Sequence, residues 1–297
     1  MPHAAEQNSP MQTTLLTLTP VAFVVLWSTG FIGAKLGLPH ASPLAFLSIR
    51  FALVLAILIP LAFVLRRPWP RDPILAAHLA VAGILLHGGY LSGVFGAIHA
   101  GMSAGIIALI VGLQPLLTAL LGGAMVGERV SARRWLGLVA GFLGVVLVVS
   151  GKTDGAEIDP RAAVLAVMAL VSITLGTLYQ KRFCPSFDLW TGSAFQFAAA
   201  AGVLVPLAFA FDDWHIDWNG EFVFALGWLV LVLSIGAISL LHVLIRRGEA
   251  TRVSALFYLT PPTTALMAFA IFGERLSSLA LVGMIIVAVG VWLGVKR

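Results

Sequence analysis

In this chain, the residues able to do chemistry are few, and most of them lie inside long apolar runs. Arg50 is the basic residue placed within such a run. An arginine there offers several N–H donors and a permanent charge to a carboxylate or phosphate. The structural alternative is a stem that snorkels to the nearer interface, or a guanidinium that caps free carbonyls. His87 and Tyr90 are one helical turn apart and share a face. Histidine titrates near neutral pH and can carry a proton, but a buried neutral imidazole bonded to a carbonyl is an equally ordinary feature. Trp27, with Phe31 one turn on, either lines a cavity or packs between helices. Gln114-Pro115 and Pro261-Pro262 interrupt two further runs. Each proline denies a hydrogen bond to the carbonyl four residues back (Val111, Phe257 and Tyr258) and tends to kink the helix. Gln114 and Tyr258 stand beside these breaks, and Tyr179 lies near the end of another run. The candidate ligand-contacting set is therefore Trp27, Arg50, His87, Tyr90, Gln114, Tyr179 and Tyr258. Pro115, Pro261 and Pro262 are candidate hinges.

Other chemistries find no residues to support them. The chain has no Walker-type loop, no His/Cys spacing suited to a metal and no paired carboxylates at depth. An enzyme, a cofactor, a resident metal and an ATP-driven pump are not expected. All 13 Asp and Glu residues fall in connectors, tails or the ends of runs. The carboxylate relay of many proton-coupled pumps is thus missing, which favours a facilitator or weak coupling through histidine.

The elements that must position these residues follow from composition. Of 297 residues, 60% are apolar and only 10% charged, against about half and a quarter in a soluble domain. Ten apolar runs approach the roughly 20 residues that a helix needs to cross a bilayer. They cover about 17–37, 43–65, 74–97, 102–126, 133–151, 161–181, 189–211, 221–245, 250–273 and 277–295. The alternating pattern of a membrane β-barrel is absent. The expected class is an all-α integral membrane protein. The single cysteine, Cys184, excludes an internal disulfide, and the polar start of the chain reads poorly as a cleaved signal peptide.

With the N-terminus in the cytoplasm, thirteen Lys and Arg residues fall in cytoplasmic connectors and tail, and four fall outside. That asymmetry satisfies the positive-inside rule and assigns both termini to the cytoplasm of an inner (plasma) membrane. It also accounts for the net charge of +5 without nucleic acid. The expected partners are the lipid bilayer and a small molecule, and the chain is read as a monomer.

A constant offset of 146 residues relates Pro115 to Pro261, Thr118-Ala119-Leu120 to Thr264-Ala265-Leu266, and Gly127-Glu128-Arg129 to Gly273-Glu274-Arg275. The same offset matches Pro60-Leu61-Ala62-Phe63 to Pro206-Leu207-Ala208-Phe209, and Gly137 and Gly144 to Gly283 and Gly290. The chain therefore reads as two units, 17–151 and 161–295, of five spans each. An odd span number inverts the second unit, giving a pseudo-two-fold axis in the membrane plane and the basis for alternating access. Glycine 127 or 273 can end a helix, and Ser131 or Ser277 can cap the next. Ser239, His242 and Arg246 share a face that either lines an inner vestibule or anchors the span.

Leu26-Trp27-Ser28-Thr29-Gly30-Phe31, Ser42-Pro43-Leu44 through Arg50-Phe51, and the proline to Gly-Glu-Arg stretches at 115–129 and 261–275 resemble the EamA family of the drug/metabolite transporter superfamily. The resemblance covers essentially the whole chain. It implies a ten-span inverted-repeat carrier of the inner membrane with a central cavity, exporting amino acids or related small metabolites. Drugs or other lipophilic compounds are the rival cargo, and a non-transporting sensor or assembly component is the rival role. The resemblance assigns no substrate residue.

Overall fold

The computed structural model describes residues 10–102, 107, 110–150, 159–247, 250–272 and 277–295. Among these residues the ordered backbone is helical, apart from one isolated antiparallel bridge between Ala41 and Ile216. The helices are α1 (Pro10–Gly37), α2 (Pro43–Val64), α3 (Pro73–His99), α4 (Gln114–Val126), α5 (Ala132–Ser150), α6 (Pro160–Phe183), α7 (Leu189–Phe211), α8 (Gly220–Arg246), α9 (Ala250–Ala255), α10 (Thr260–Phe272) and α11 (Ser278–Val295). Their starts are set locally. Prolines 43, 73 and 160 occupy first-turn positions where no amide is needed. Asp72, Asp159, Asp188 and Asn219 accept from free first-turn amides at 2.8–3.0 Å. Gly127 ends α4 in the left-handed region at φ 72°, as a C-terminal glycine should. Ser131 and Ser277 accept from Arg134 N and Ala280 N at the starts of α5 and α11. Gly273-Glu274-Arg275 lies outside the described residues.

Six of the described helices are long and apolar enough to cross a membrane, namely α1, α2, α3, α6, α7 and α8. The fourth and ninth apolar runs are not continuous helices. A turn at Gly112-Leu113 precedes α4, and a 3-10 turn, Leu256–Leu259, separates α9 from α10. In both cases the proline sits in the first turn of the second piece, where it no longer breaks a hydrogen bond. Part of the fourth run, residues 103–106 and 108–109, lies outside the described residues. Large apolar side chains such as Phe63, Leu136, Val164, Phe209 and Ile285 face outward, 65–71% exposed. That surface suits lipid and not water.

The two halves run antiparallel and interlock. The Asp212 carboxylate, just past α7, accepts from Leu44 N at 2.8 Å and Ala45 N at 3.0 Å and so caps the start of α2. At the opposite ends of the same pair, Thr191 Oγ1 donates to Pro68 O at 2.8 Å, and Arg67 pairs with Asp188 at 3.9 Å. Between these ties Phe51 meets its repeat equivalent Phe197, with ring centroids 5.4 Å apart. Helices α5 and α11 cross in the same antiparallel sense. A Cβ on Gly144 would meet Gly283 O at 2.8 Å, and one on Gly290 would meet Gly137 O at 2.7 Å. These are the two glycine pairs that the 146-residue offset equates, now exchanged across the crossing. The remaining helices pack across the halves, α1 on α8 and α3 on α6, so each half completes the other.

A side chain at the α5–α11 crossing has nowhere to go, because the obstructing atoms are backbone. Gly144→Val is expected to lower stability by about 1–3 kcal/mol, read as a fall in thermal midpoint in detergent. Gly202→Ala, where a Cβ meets nothing within 4 Å, should leave the midpoint in place.

Candidate functional site

Irregular helix turns carry the polar residues into the protein. In α3 the segment Ile84–Gly89 is π-helical, and in α8 so is Leu229–Ala237. These stretches overlap under the repeat offset. A π turn carries an extra residue and widens the helix, so it redirects the side chains beside it. The α3 turn holds His87 and leads into Tyr90; the α8 turn holds Ser234. Gly89 is required here, since a Cβ at that position would run into the Ser172 hydroxyl of α6.

Between them lies a cavity walled by Trp27, Gly30, Phe31 and Ala34 of α1, Arg50 of α2, Leu86, His87, Tyr90, Leu91, Val94 and Phe95 of α3, Phe197 of α7, and Leu229, Leu233 and Ile238 of α8. Arg50 is 4% exposed and does not snorkel outward; its Nε donates to Ser234 Oγ at 2.9 Å. No carboxylate lines the cavity, and among the described residues none pairs with Arg50. The guanidinium is thus held by one neutral hydroxyl in apolar surroundings. That arrangement is expensive unless an anion completes it. His87 lies flat against Phe197, with ring centroids 4.1 Å apart and planes 10° apart. Neither of its ring nitrogens has a hydrogen-bond partner among the described residues. Behind it Gln196 Nε2 donates to Gln180 Oε1 at 2.8 Å, and Gln180 Nε2 is 3.0 Å from His242 Nδ1. His242 is therefore buried in a polar chain and does not face a vestibule, while Arg246 donates to Phe187 O at 3.2 Å.

A smaller cavity shares the Trp27, Phe31 and Tyr90 wall and continues to the helix breaks, where Val111, Gly112, Phe257, Thr260 and Pro261 line it. The two proline breaks thus converge on one space.

The structure gathers Trp27, Arg50, His87, Tyr90 and Pro261 around these cavities, but not Gln114, Tyr179 or Tyr258. Gln114 is fully buried and turned toward α6, its Nε2 3.5 Å from Thr177 Oγ1. Tyr179 sits at the end of α6, its hydroxyl 2.7 Å from His78 Nδ1. Tyr258 packs against Gly141 of α5, where a Cβ would meet its ring at 2.7 Å. The 3-10 turn is the physical reason for this last placement: it puts Phe257, not its neighbour, on the cavity side. The Phe257 carbonyl, expected to be free, accepts from Thr260 N within that turn. Pro115 and Pro262 are buried beside the breaks without lining either space.

Sequence reasoning missed Ser234, Phe197, Phe257 and Thr260. An isolated serine in the otherwise apolar Leu229–Ala237 stretch, and the Gly88-Gly89 pair opposite it in the repeat, were the available signals.

A duplicated helical protein with an apolar exterior and a buried cavity at the junction of its halves belongs to the class of membrane carriers. The chain belongs to the EamA-like transporter family, whose sequence model matches it twice, over residues 15–150 and 160–295. It is a membrane transporter and not an enzyme, as its relatives are. It is 25% identical over 282 residues to a "Probable amino-acid metabolite efflux pump" of Salmonella typhimurium, covering 92% of each chain. It is also 27% identical over 261 residues to the "Uncharacterized inner membrane transporter YedA" of Escherichia coli K12, covering 87% of this chain and 83% of that one. One crystal structure matches with a TM-score of 0.76 at 20% identity, over 94% of this chain and 96% of the other, and shares the fold.

The Arg50–Ser234 contact lends itself to a double-mutant cycle. With Ser234→Ala and Arg50→Leu, the coupling free energy is expected to be about 1.5–3 kcal/mol, the range for hydrogen bonds to charged groups, measured by unfolding in detergent. A coupling near zero would show that the hydroxyl does not hold the guanidinium.

Proposed function

We propose that this protein is a secondary transporter that exports small metabolites, amino acids foremost, across the bacterial inner membrane by alternating access. The observation that carries the reading is the buried Arg50 guanidinium, anchored by Ser234, lining a cavity between the two halves and lacking a carboxylate partner among the described residues. It is the natural seat for a cargo carboxylate. The efflux-pump name of the Salmonella relative supports the same class of cargo and the outward direction.

In this reading ten spans cross the membrane as two inverted repeats, 17–151 and 161–295, with both termini cytoplasmic. The fourth span, and the ninth built from α9 and α10, cross in two pieces each. Trp27, Tyr90 and His87 shape the binding space beside Arg50. Pro115, Pro261 and Pro262 place hinges at equivalent points of the two repeats, where the path between the halves must open and close. Gln114 and Tyr258 adjoin those hinges and Tyr179 steadies the far end of α6, so all three act on conformation and not by contact with cargo. Lipophilic cations are disfavoured as cargo, because the charge lining the cavity is positive and a desolvated cation needs the opposite. A sensor or assembly component would not need hinges in equivalent places.

The test is exchange of radiolabelled amino acids in proteoliposomes containing only this protein. Exchange of at least one member of a broad panel is expected, abolished by Arg50→Gln and slowed by Pro115→Ala and Pro261→Ala, with equilibrium binding kept in the proline variants. Absence of exchange across the panel would end the amino-acid reading. Normal function in both proline variants would favour the non-transporting role.

A further inference from the structure

The smaller cavity has an unusual wall. Four of the residues lining it are aromatic: Trp27 and Phe31 from α1, Tyr90 from α3, and Phe257 from the 3-10 turn before α10. The Trp27 and Phe257 rings stand at 88° with centroids 5.2 Å apart, while Trp27 runs nearly parallel to Tyr90 at 6.1 Å and 19°. The rings thus form a corner around empty space, not a closed stack. Val111, Gly112, Thr260 and Pro261 complete the lining at the two helix breaks, and no carboxylate is among them. Thr260 is 4% exposed, and its hydroxyl has no hydrogen-bond partner among the described residues.

Duplication sharpens the point. Phe257 and Val111 are repeat equivalents, and both line this cavity. The positions equivalent to Trp27, Phe31 and Tyr90 hold Ile173, Thr177 and Gly236. The duplicated frame therefore does not itself require these rings, although within this half Phe23 packs against Trp27 at 5.2 Å and Phe257 at 5.3 Å. Aromatic faces carry negative potential and attract ammonium groups. Arg50 lines the adjoining cavity, which has Trp27, Phe31 and Tyr90 in common with this one, and repels any cation that does not bring its own anion.

We infer that this corner is the ammonium subsite of a zwitterionic cargo whose carboxylate is held by Arg50. Phe257 is the ring that determines selectivity for the amine, and the unpartnered Thr260 hydroxyl accepts one of its N–H groups. The inference rests on the amino-acid transport reading and adds a second pole to it. A carboxylate without an amine leaves the corner unused. An amine without a carboxylate meets Arg50 unshielded.

The test is competition in proteoliposomes against the radiolabelled amino acid that exchanges best, using that amino acid, its des-amino carboxylate and its decarboxylated amine. For L-leucine these are 4-methylpentanoate and 3-methylbutylamine. Wild type should rank the amino acid well above the des-amino acid, and the amine should not compete. Phe257→Leu, which keeps an apolar side chain and removes the quadrupole, should weaken the amino acid by about tenfold and leave the des-amino acid unchanged. Phe257→Trp should restore the ranking, and Phe31→Leu gives a second reading if the first variant folds poorly. The inference is overturned if the des-amino acid competes as well as the amino acid, or if the leucine variants weaken both equally. In that case exchange itself persists and the transport reading stands. If no amino acid exchanges in wild type, both fall together.

Discussion

In a chain surrounded by hydrocarbon, every backbone amide and carbonyl has to find its partner inside the protein, and the rest of this structure is arranged around that constraint. Regular helices meet it everywhere on the outside. Departures from regularity occur where protein covers them: the π turns of α3 and α8, the turn before α4 and the 3-10 turn before α10. All four supply residues to the larger cavity or to the smaller one, and Ser234 of the α8 turn also holds Arg50. Irregular backbone and cavity are thus one feature. A wide or broken turn supplies the direction that a straight helix cannot give a side chain.

The halves meet by different means at different places. Where α5 crosses α11 the contact is backbone on backbone, permitted by four glycines and tolerant of nothing larger. Where α2 crosses α7, carboxylates and hydroxyls tie the ends and phenylalanines fill the middle. The cavity lies mainly along α1, α3 and α8, with Arg50 of α2 and Phe197 of α7 completing its wall. There the side chains are large but leave space, and the polar groups are asymmetric between the repeats. Arg50 faces its bond to Ser234 in one half, while its equivalent Gln196 belongs to the chain with Gln180 and His242 in the other. A symmetric frame therefore encloses an asymmetric site.

Much of the frame was legible in the sequence because it is written in strong, local signals. Long apolar runs mark most helices at their true places within a few residues, the broken fourth and ninth runs excepted. The glycines matched by the repeat offset meet at the α5–α11 crossing, with partners exchanged: Gly144 against Gly283 and Gly137 against Gly290. The site was legible only where burial of a polar side chain is costly in itself. Arg50, His87, Tyr90 and Trp27 stood out for that reason, and all four line one space. Gln114, Tyr179 and Tyr258 were equally conspicuous by type yet point elsewhere. Proximity to a helix break along the chain says nothing about which way the broken turn rotates its neighbours.

By itself, the sequence determined the helical class, the duplication and the antiparallel relation of the halves. These follow from hydropathy, from a constant offset and from the expectation of an odd number of spans in each unit, none of which needs coordinates. Only the tertiary structure decided that Arg50 turns inward to Ser234, that Phe257 and not Tyr258 meets the cavity, and that the two proline breaks converge on a single aromatic corner. Those outcomes rest on π and 3-10 turns, where the difference between one side-chain direction and the next is a single residue of helical register. That register is set by packing between the halves and not by the residues of either turn.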